Sequence, residues 1–473
     1  MSATIDQRPG AEVLPGRSDT LDGRPRLLAG TELLGQAKGS GLREPPYLVR
    51  RRDGQIVQLS RLLYELASAM DGRSPAAIAH TAGERLDLRI TPQQVVYVAE
   101  HKLFPLGLVV PPDGRVPHLQ PRNPLLALRF RARLLPARTV NALAALLKPL
   151  LWPPVVLAAL SALVACDAWM TTSPGVGAAL HTVINDPTLG VALIGVTLLS
   201  LVFHECGHAA ACRYGGARPG RIGVGIYLVW PALFTDVTDS YRLSKAGRLR
   251  TDLGGVYFNV LFALAAAGTY FATGYGLLLI VIVTQQVLIL DQFVPWMRLD
   301  GYHIVSDLIG VSDLFSRIKP VMASLLPGRR PGPRVTELKR WARLAVTVWV
   351  LTTIVALAAM VAMIIIDAPA YVAQAWQSLF AQFDWVRHGA QTGSVLDVLT
   401  GAISVVMLML PVVGFTLTYL LLCRGLGTSL AVRQSRADLT LLAVNRQESR
   451  SDGPTNESAA SNRSAHAGGW VAG

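Results

Sequence analysis

His204-Glu205-Cys206-Gly207-His208 places two histidines four residues apart with a glutamate beside the first. On a helix this spacing brings both imidazoles to one face, where a single zinc ion can accept both. Glu205 then stands where a general base toward water belongs. The motif lies in residues 188–212, whose other ionisable groups are only cysteines. Ionisable side chains inside an apolar span are costly, so three together mark a site. Cys206 is two residues from His204, about 200° round a helix, and reads as packing, not ligation.

A third ligand must come from another element. Asp300, in Arg298-Leu299-Asp300-Gly301-Tyr302-His303, follows Pro295 just past the end of a later apolar run. His204 lies 16 residues into its own run, about 24 Å along a helix, which brings both positions toward the same membrane face. Asp before Gly is also a common turn residue. His303 is a rival ligand, or a partner behind one.

The elements that carry these residues are apolar helices. Of 473 residues, 51% are hydrophobic and 16% charged, against about 25% charged in an ordinary soluble domain. Mean hydropathy is +0.39. Apolar runs occupy 149–166, 188–212, 253–290, 344–366 and 398–423. The third would be about 57 Å long as one helix, too long for a ~30 Å core. Gly274-Tyr275-Gly276 divides it into a tight hairpin, making about six spans.

The net charge of +13 has two readings, nucleic-acid binding or a membrane protein with basic inner loops. Position decides between them. Residues 1–150 carry 21 Lys/Arg, 213–250 seven, 298–343 nine and the segment from 424 six. The alternate loops, 171–187, 273–276 and 367–397, carry one in all. This alternation predicts a multi-pass protein with both termini cytoplasmic and no nucleic-acid partner. Four cysteines without a C-x-x-C pair exclude a disulfide framework and a thiolate zinc finger. The first 46 residues are polar and lack the apolar stretch of a signal peptide.

Before the spans, residues 47–60 read as a hairpin around Asp53-Gly54, with the two-residue turn that Asp-Gly favours. Three helices follow: 60–70 with a stripe of Leu62, Leu63, Leu66 and Met70; 74–86 opening on Ser-Pro; and 91–102 opening on Thr-Pro. The fold class is therefore mainly α, a polytopic membrane protein preceded by a small α+β winged-helix-like cytoplasmic domain. Residues 1–46 are expected to be mostly flexible, 47–110 a domain, and 111–148 a linker with an amphipathic lead-in. A four-span core at 149–311 precedes a basic linker at 312–343, two spans within 344–423 and a disordered tail at 424–473. Residues 222–241 are a poor span and read as a re-entrant strand or hairpin whose edge could hold a peptide extended. Asp236 and Asp239 there can instead mark the return to water. Residues 370–383, with Trp376 and Phe380, read as an amphipathic segment at the outer interface.

Residues 47–110, with QLSRLLYELASAMDGRSPAAIAHTAG and HKLFPLGLV, resemble the peptide-chaperone domain of pyrroloquinoline quinone biosynthesis, the PqqD-like domains. The resemblance implies capture of a precursor's leader peptide as an added β-strand. His204-Glu205-x-x-His208 together with Leu299-Asp300-Gly301 resembles the site-2 protease family of intramembrane zinc metallopeptidases. That implies one zinc per chain, His204, His208 and Asp300 as ligands, and Glu205 as catalytic base. The family's Gly-Pro-x-x-Asn element reads Gly255-Val256-Tyr257-Phe258-Asn259, with Val for Pro. It implies Asn259 as a donor to the scissile carbonyl or oxyanion; Gly254 and Gly255 can also serve close helix packing. LREPPYLVRR, LFTDVTDSYRLSKAGRLRTDLGG and RLDGYHIVSDLIG resemble the branch of peptide zinc metalloproteases. The combined expectation is a metalloendopeptidase of a bacterial cytoplasmic membrane. It would remove the leader of a ribosomal precursor peptide, with that precursor and membrane lipid as partners. Proteolysis of a membrane-anchored regulator and a non-hydrolytic peptide-binding or export/immunity role are the alternatives.

Overall fold

The computed structural model describes residues 24–110, 129–172, 175–227, 230–395, 397–406 and 409. The expected tail at 424–473, most of the last expected span and residues 111–128 of the expected linker lie outside them. The structure is mainly helical, with small amino-terminal β-sheets.

The described chain opens with β1 (Arg26–Leu27) and β2 (Glu32–Gln36), then β3 (Tyr47–Arg50) and β4 (Ile56–Leu59). The last three form an antiparallel sheet in the order β2-β3-β4. Residues 24–46 are thus largely structured, contrary to the expected flexible lead. The hairpin turn also differs from expectation. Its loop is Arg51–Gln55, closed by the Gly54 N–H donating to the Arg51 carbonyl at 2.9 Å. Gly54 has φ +86° and Asp53 does not share a positive φ, so glycine alone takes the left-handed position. Arg51 pairs with Asp53 across the turn and holds its carboxyl below the usual range.

Three helices follow as the caps dictate: α1 (Arg61–Ala69), α2 (Pro75–Leu86) and α3 (Pro92–Val98), capped by Ser60, Ser74 and Thr91 side chains. Thr91 and Gln94 complete a capping box. The α1 stripe turns further than expected. Leu66 and Met70 are buried, whereas Leu62 is exposed. They pack with Val49, Leu59, Ile78, Val95, Leu103 and Leu108 in one core. β5 (Val109–Val110) closes back on β1.

β6 (Arg129–Leu135) is a strand where a linker was expected, and α4 (Ala137–Leu147) buries Val140 and Ala144 against the core. Among the described residues, four helices are long and apolar enough to cross a membrane: α5 (Pro153–Thr172), most of α7 (Pro187–Tyr214), α8 (Lys245–Thr273) and Arg340–Met363. Between α5 and α7, α6 (Gly175–Asn185) replaces the expected loop and packs Ala179 and Val183 on Leu277 and Ile280. β7 (Ile222–Tyr227) and β8 (Trp230–Thr235) form the expected hairpin; β6 joins it, leaving β8 at the sheet edge. The turn at Gly274, φ +67°, ends α8, and α9 (Leu277–Gln292) returns as the second arm. At 16 residues it is about 24 Å long, shorter than the others.

α10 (Asp300–Ile309) is followed by α11 (Ile318–Leu325) and α12 (Pro333–Thr336). The segment expected as a basic linker is instead folded. Val321, Val335 and Leu338 pack with Tyr302 and Trp349. Residues 38–43 of the amino-terminal segment are tied into it. The Gly41 N–H donates to the Gly310 carbonyl and the Lys339 N–H to the Gly41 carbonyl, each at 2.9 Å. Finally α13 (Arg340–Thr392) runs 53 residues, about 80 Å. Residues 370–383, expected as an amphipathic interfacial segment, continue this helix through Pro369. A last apolar helix, Asp397–Val406, leads out of the described residues.

α7 and α8 pack closely through facing glycines. A Cβ on Gly254 would meet the Gly207 carbonyl oxygen at 2.6 Å and Ala211 Cβ at 2.8 Å. At Gly268, on the same helix, there is open space. Gly254→Leu is therefore expected to destabilise by at least the 1–3 kcal/mol of an overpacked core, and Gly268→Leu to be near neutral. Thermal unfolding of the purified protein in detergent checks both.

Candidate metal centre

His204 and His208 stand one turn apart on α7, both buried. Asp300 is the first residue of α10 and faces them. Gly301 makes this possible: a Cβ there would lie 2.6 Å from the Phe293 carbonyl at the end of α9. The 293–299 segment is pinned from α13 by Trp349, whose Nε1 donates to the Pro295 carbonyl at 2.9 Å. Behind Asp300, burial pushes the Tyr302 phenol up to about 12, so it stays neutral and accepts the Leu314 N–H at 3.0 Å.

Three ligand atoms converge. His204 Nε2 and His208 Nε2 are 3.1 Å apart, and each is 3.2 Å from Asp300 Oδ2. A tetrahedral zinc with ligands at about 2.0 Å has edges of about 3.3 Å, so this triangle is nearly one face of such a site. His208 Nδ1 donates to the Thr251 carbonyl at 2.8 Å. That leaves the Nε2 lone pair facing a carboxylate, an arrangement that a cation resolves. His204 Nδ1 has no partner among the described residues. The space between the helices points the same way: a Cβ on Gly255 would overlap Nε2 of both histidines. The cradle exists because α8 has no side chain at that position, and the donor set of two imidazoles and one carboxylate fits zinc.

Glu205, on the next residue of α7, is buried, and its Oε2 accepts the Thr235 hydroxyl at 2.6 Å. Thr235 is the last residue of β8 and did not stand out in the sequence beyond being a hydroxyl in a Phe-Thr-Asp run. The Thr251 carbonyl is a backbone group with no sequence signal. Asp236 and Asp239 take structural roles. Asp236 Oδ1 accepts the Thr238 hydroxyl at 2.6 Å, while Asp239 accepts the Arg218 N–H and pairs with Arg50 of β3, each at 2.9 Å. Cys206 is buried in the α4–α7–α8 core.

Asn259 lies one turn beyond Gly255 on the same face of α8. It is 1% exposed, and neither amide atom has a partner among the described residues. His303 is not part of the converging group. Its ring lies edge-on to Tyr302 at 5.3 Å.

The chain is 23% identical over 143 residues to the "Putative peptide zinc metalloprotease protein YydH" of Bacillus subtilis (strain 168). The alignment covers 30% of this chain and 56% of that protein, so the chain spans little more than half of the relative's length. No family profile and no solved structure matches the chain.

Removing the open space under the imidazoles is expected to remove the metal. Gly255→Ala should lower bound zinc from about one per chain to near none while thermal unfolding still shows a folded protein. Zinc analysis of the purified variant, with Gly268→Ala as control, checks this.

Proposed function

We propose that this protein is a membrane-embedded zinc endopeptidase that cleaves the leader from a ribosomal precursor peptide. The observation carrying the proposal is the converging triangle of His204, His208 and Asp300, with Glu205 next to His204 in the chain. The partial likeness to a protein named for peptide cleavage supports the reaction type. Four long apolar helices and the alternation of basic loops support a multi-pass protein with both termini in the cytoplasm.

In this reading His204, His208 and Asp300 hold the zinc. When bound there, the ion acidifies water toward a pKa of ~7 and polarises a carbonyl. Glu205 takes the proton of the attacking water and passes it to the leaving amine. Thr235 fixes the carboxylate through one short hydrogen bond. The unpaired Asn259 amide donates toward the carbonyl oxygen as charge develops on it. β8 is an edge strand ending at Thr235, so a peptide added along it runs extended past Glu205.

The amino-terminal domain captures the leader. Its sheet has β2 and β4 as outer strands, either of which can accept an added strand. Arg50 on its central strand pairs with Asp239, four residues past Thr235, which keeps a captured leader close to the cleavage strand.

Incubation with a precursor peptide encoded beside the gene tests the reading. Glu205→Ala should keep its zinc and lose about 10²–10⁴-fold in rate; equal cleavage would sink the catalytic assignment. Thr235→Val should keep zinc and lower kcat about tenfold, the value of one hydrogen bond to a charged group. Deleting residues 24–110 should weaken binding of the full precursor but not of the leaderless peptide. A product that instead enters transcriptional control would move the proposal to cleavage of a membrane-anchored regulator.

A further inference from the structure

A groove of about 320 Å³, not lined by His204, Glu205, His208 or Asp300, lies where α5 begins, α7 ends and α8 begins. One wall is a stripe on α5, Pro153, Val156, Leu157 and Leu160, at the i, i+3, i+4, i+7 spacing of one helix face. This wall runs about 10 Å along the helix axis. The other wall is Tyr214, the last residue of α7, and Arg250, in the second turn of α8. The groove therefore has a polar end and an apolar end. Arg250 and Tyr214 stand at the helix termini, and Leu160 lies deeper along the bundle.

Arg250 is half-buried with its guanidinium over the Tyr214 ring, 4.8 Å from the centroid. Its Nε is buried without a hydrogen-bond partner, and no carboxylate pairs with it among the described residues. A cation left this way at the end of an apolar trough is costly unless an anion meets it. Trp152, exposed one residue before α5, sits at the same end, where aromatic side chains lie at the level of lipid headgroups.

We propose that this groove binds one anionic phospholipid, with an acyl chain along the α5 stripe and the phosphate on Arg250. The volume falls in the range of small-molecule sites, about 300–1,000 Å³. The direction of the groove matches that of a lipid in a leaflet. Its charge selects an anionic headgroup, and Arg fits phosphate better than a point charge does. Lipid binding here requires α5, α7 and α8 to span a membrane, and it is independent of the peptidase reading.

The test is native mass spectrometry of the full chain in detergent, titrated with dioleoyl phosphatidylglycerol or dioleoyl phosphatidylcholine. The wild type should prefer the anionic lipid about fivefold, the effect of one basic side chain beside an anionic headgroup. Arg250→Gln should bring the two to parity, and Arg250→Lys should keep a preference. Val156→Trp, which fills the trough and leaves Arg250 in place, should reduce retention of both. An unchanged preference in Arg250→Gln, or wild-type retention in Val156→Trp, overturns the proposal. Zinc content measured on the same samples should stay at the wild-type level, which separates this result from any failure at the metal centre.

Discussion

Two helices meet backbone to backbone at Gly207 and Gly254, and the geometry of the candidate site follows from that contact. Larger side chains at either position would push α8 away from α7. The Thr251 carbonyl would then leave His208 Nδ1, and the ring would lose the bond that turns its Nε2 inward. Gly255 extends the same logic by one residue. The absence of its side chain is the space under the two imidazoles. Packing and coordination are thus one constraint, carried by three glycines.

The remaining parts approach that contact from outside the helix pair. α10 delivers Asp300 because Gly301 fits against the end of α9 and Trp349 pins the preceding segment. β8 delivers Thr235 to Glu205 from a sheet completed by β6, far back in the chain. Asp300 and Thr235 therefore come from different elements with different supports. This makes their contributions separable by substitution, whereas the glycine contact is shared by all of them.

The converging group of His204, His208 and Asp300 was legible because such side chains are costly in an apolar run. Ionisable side chains such as the three in 188–212 persist at membrane depth chiefly where they bind or pair, and Asp300 after Pro295 offered them a carboxylate. The hairpin break at Gly274 was legible from length, since 38 apolar residues exceed one crossing. Partners supplied by backbone or by single hydroxyls were not legible: Thr251 through its carbonyl, Thr235 through one Oγ1. Local pattern also misjudged segments whose order comes from distant pairing. Residues 24–46 and 129–135 read as flexible or linking because their strand partners lie elsewhere. Asp53-Gly54 pointed to a two-residue turn, but the Arg51–Asp53 pair and Gly54 alone at positive φ build a longer one.

The short strap at residues 38–43 sets an order of assembly. Ser40 and Gly41 precede their partners, Gly310 and Lys339, by some 270–299 positions. The amino-terminal sheet and helices can form their own core while the chain is still being synthesised, from contacts close in sequence. The strap can close only after α10 is complete and α13 has begun. Closure of the strap therefore follows synthesis of α5 to α10, and it ties the amino-terminal sheet and helices to α10 and the start of α13.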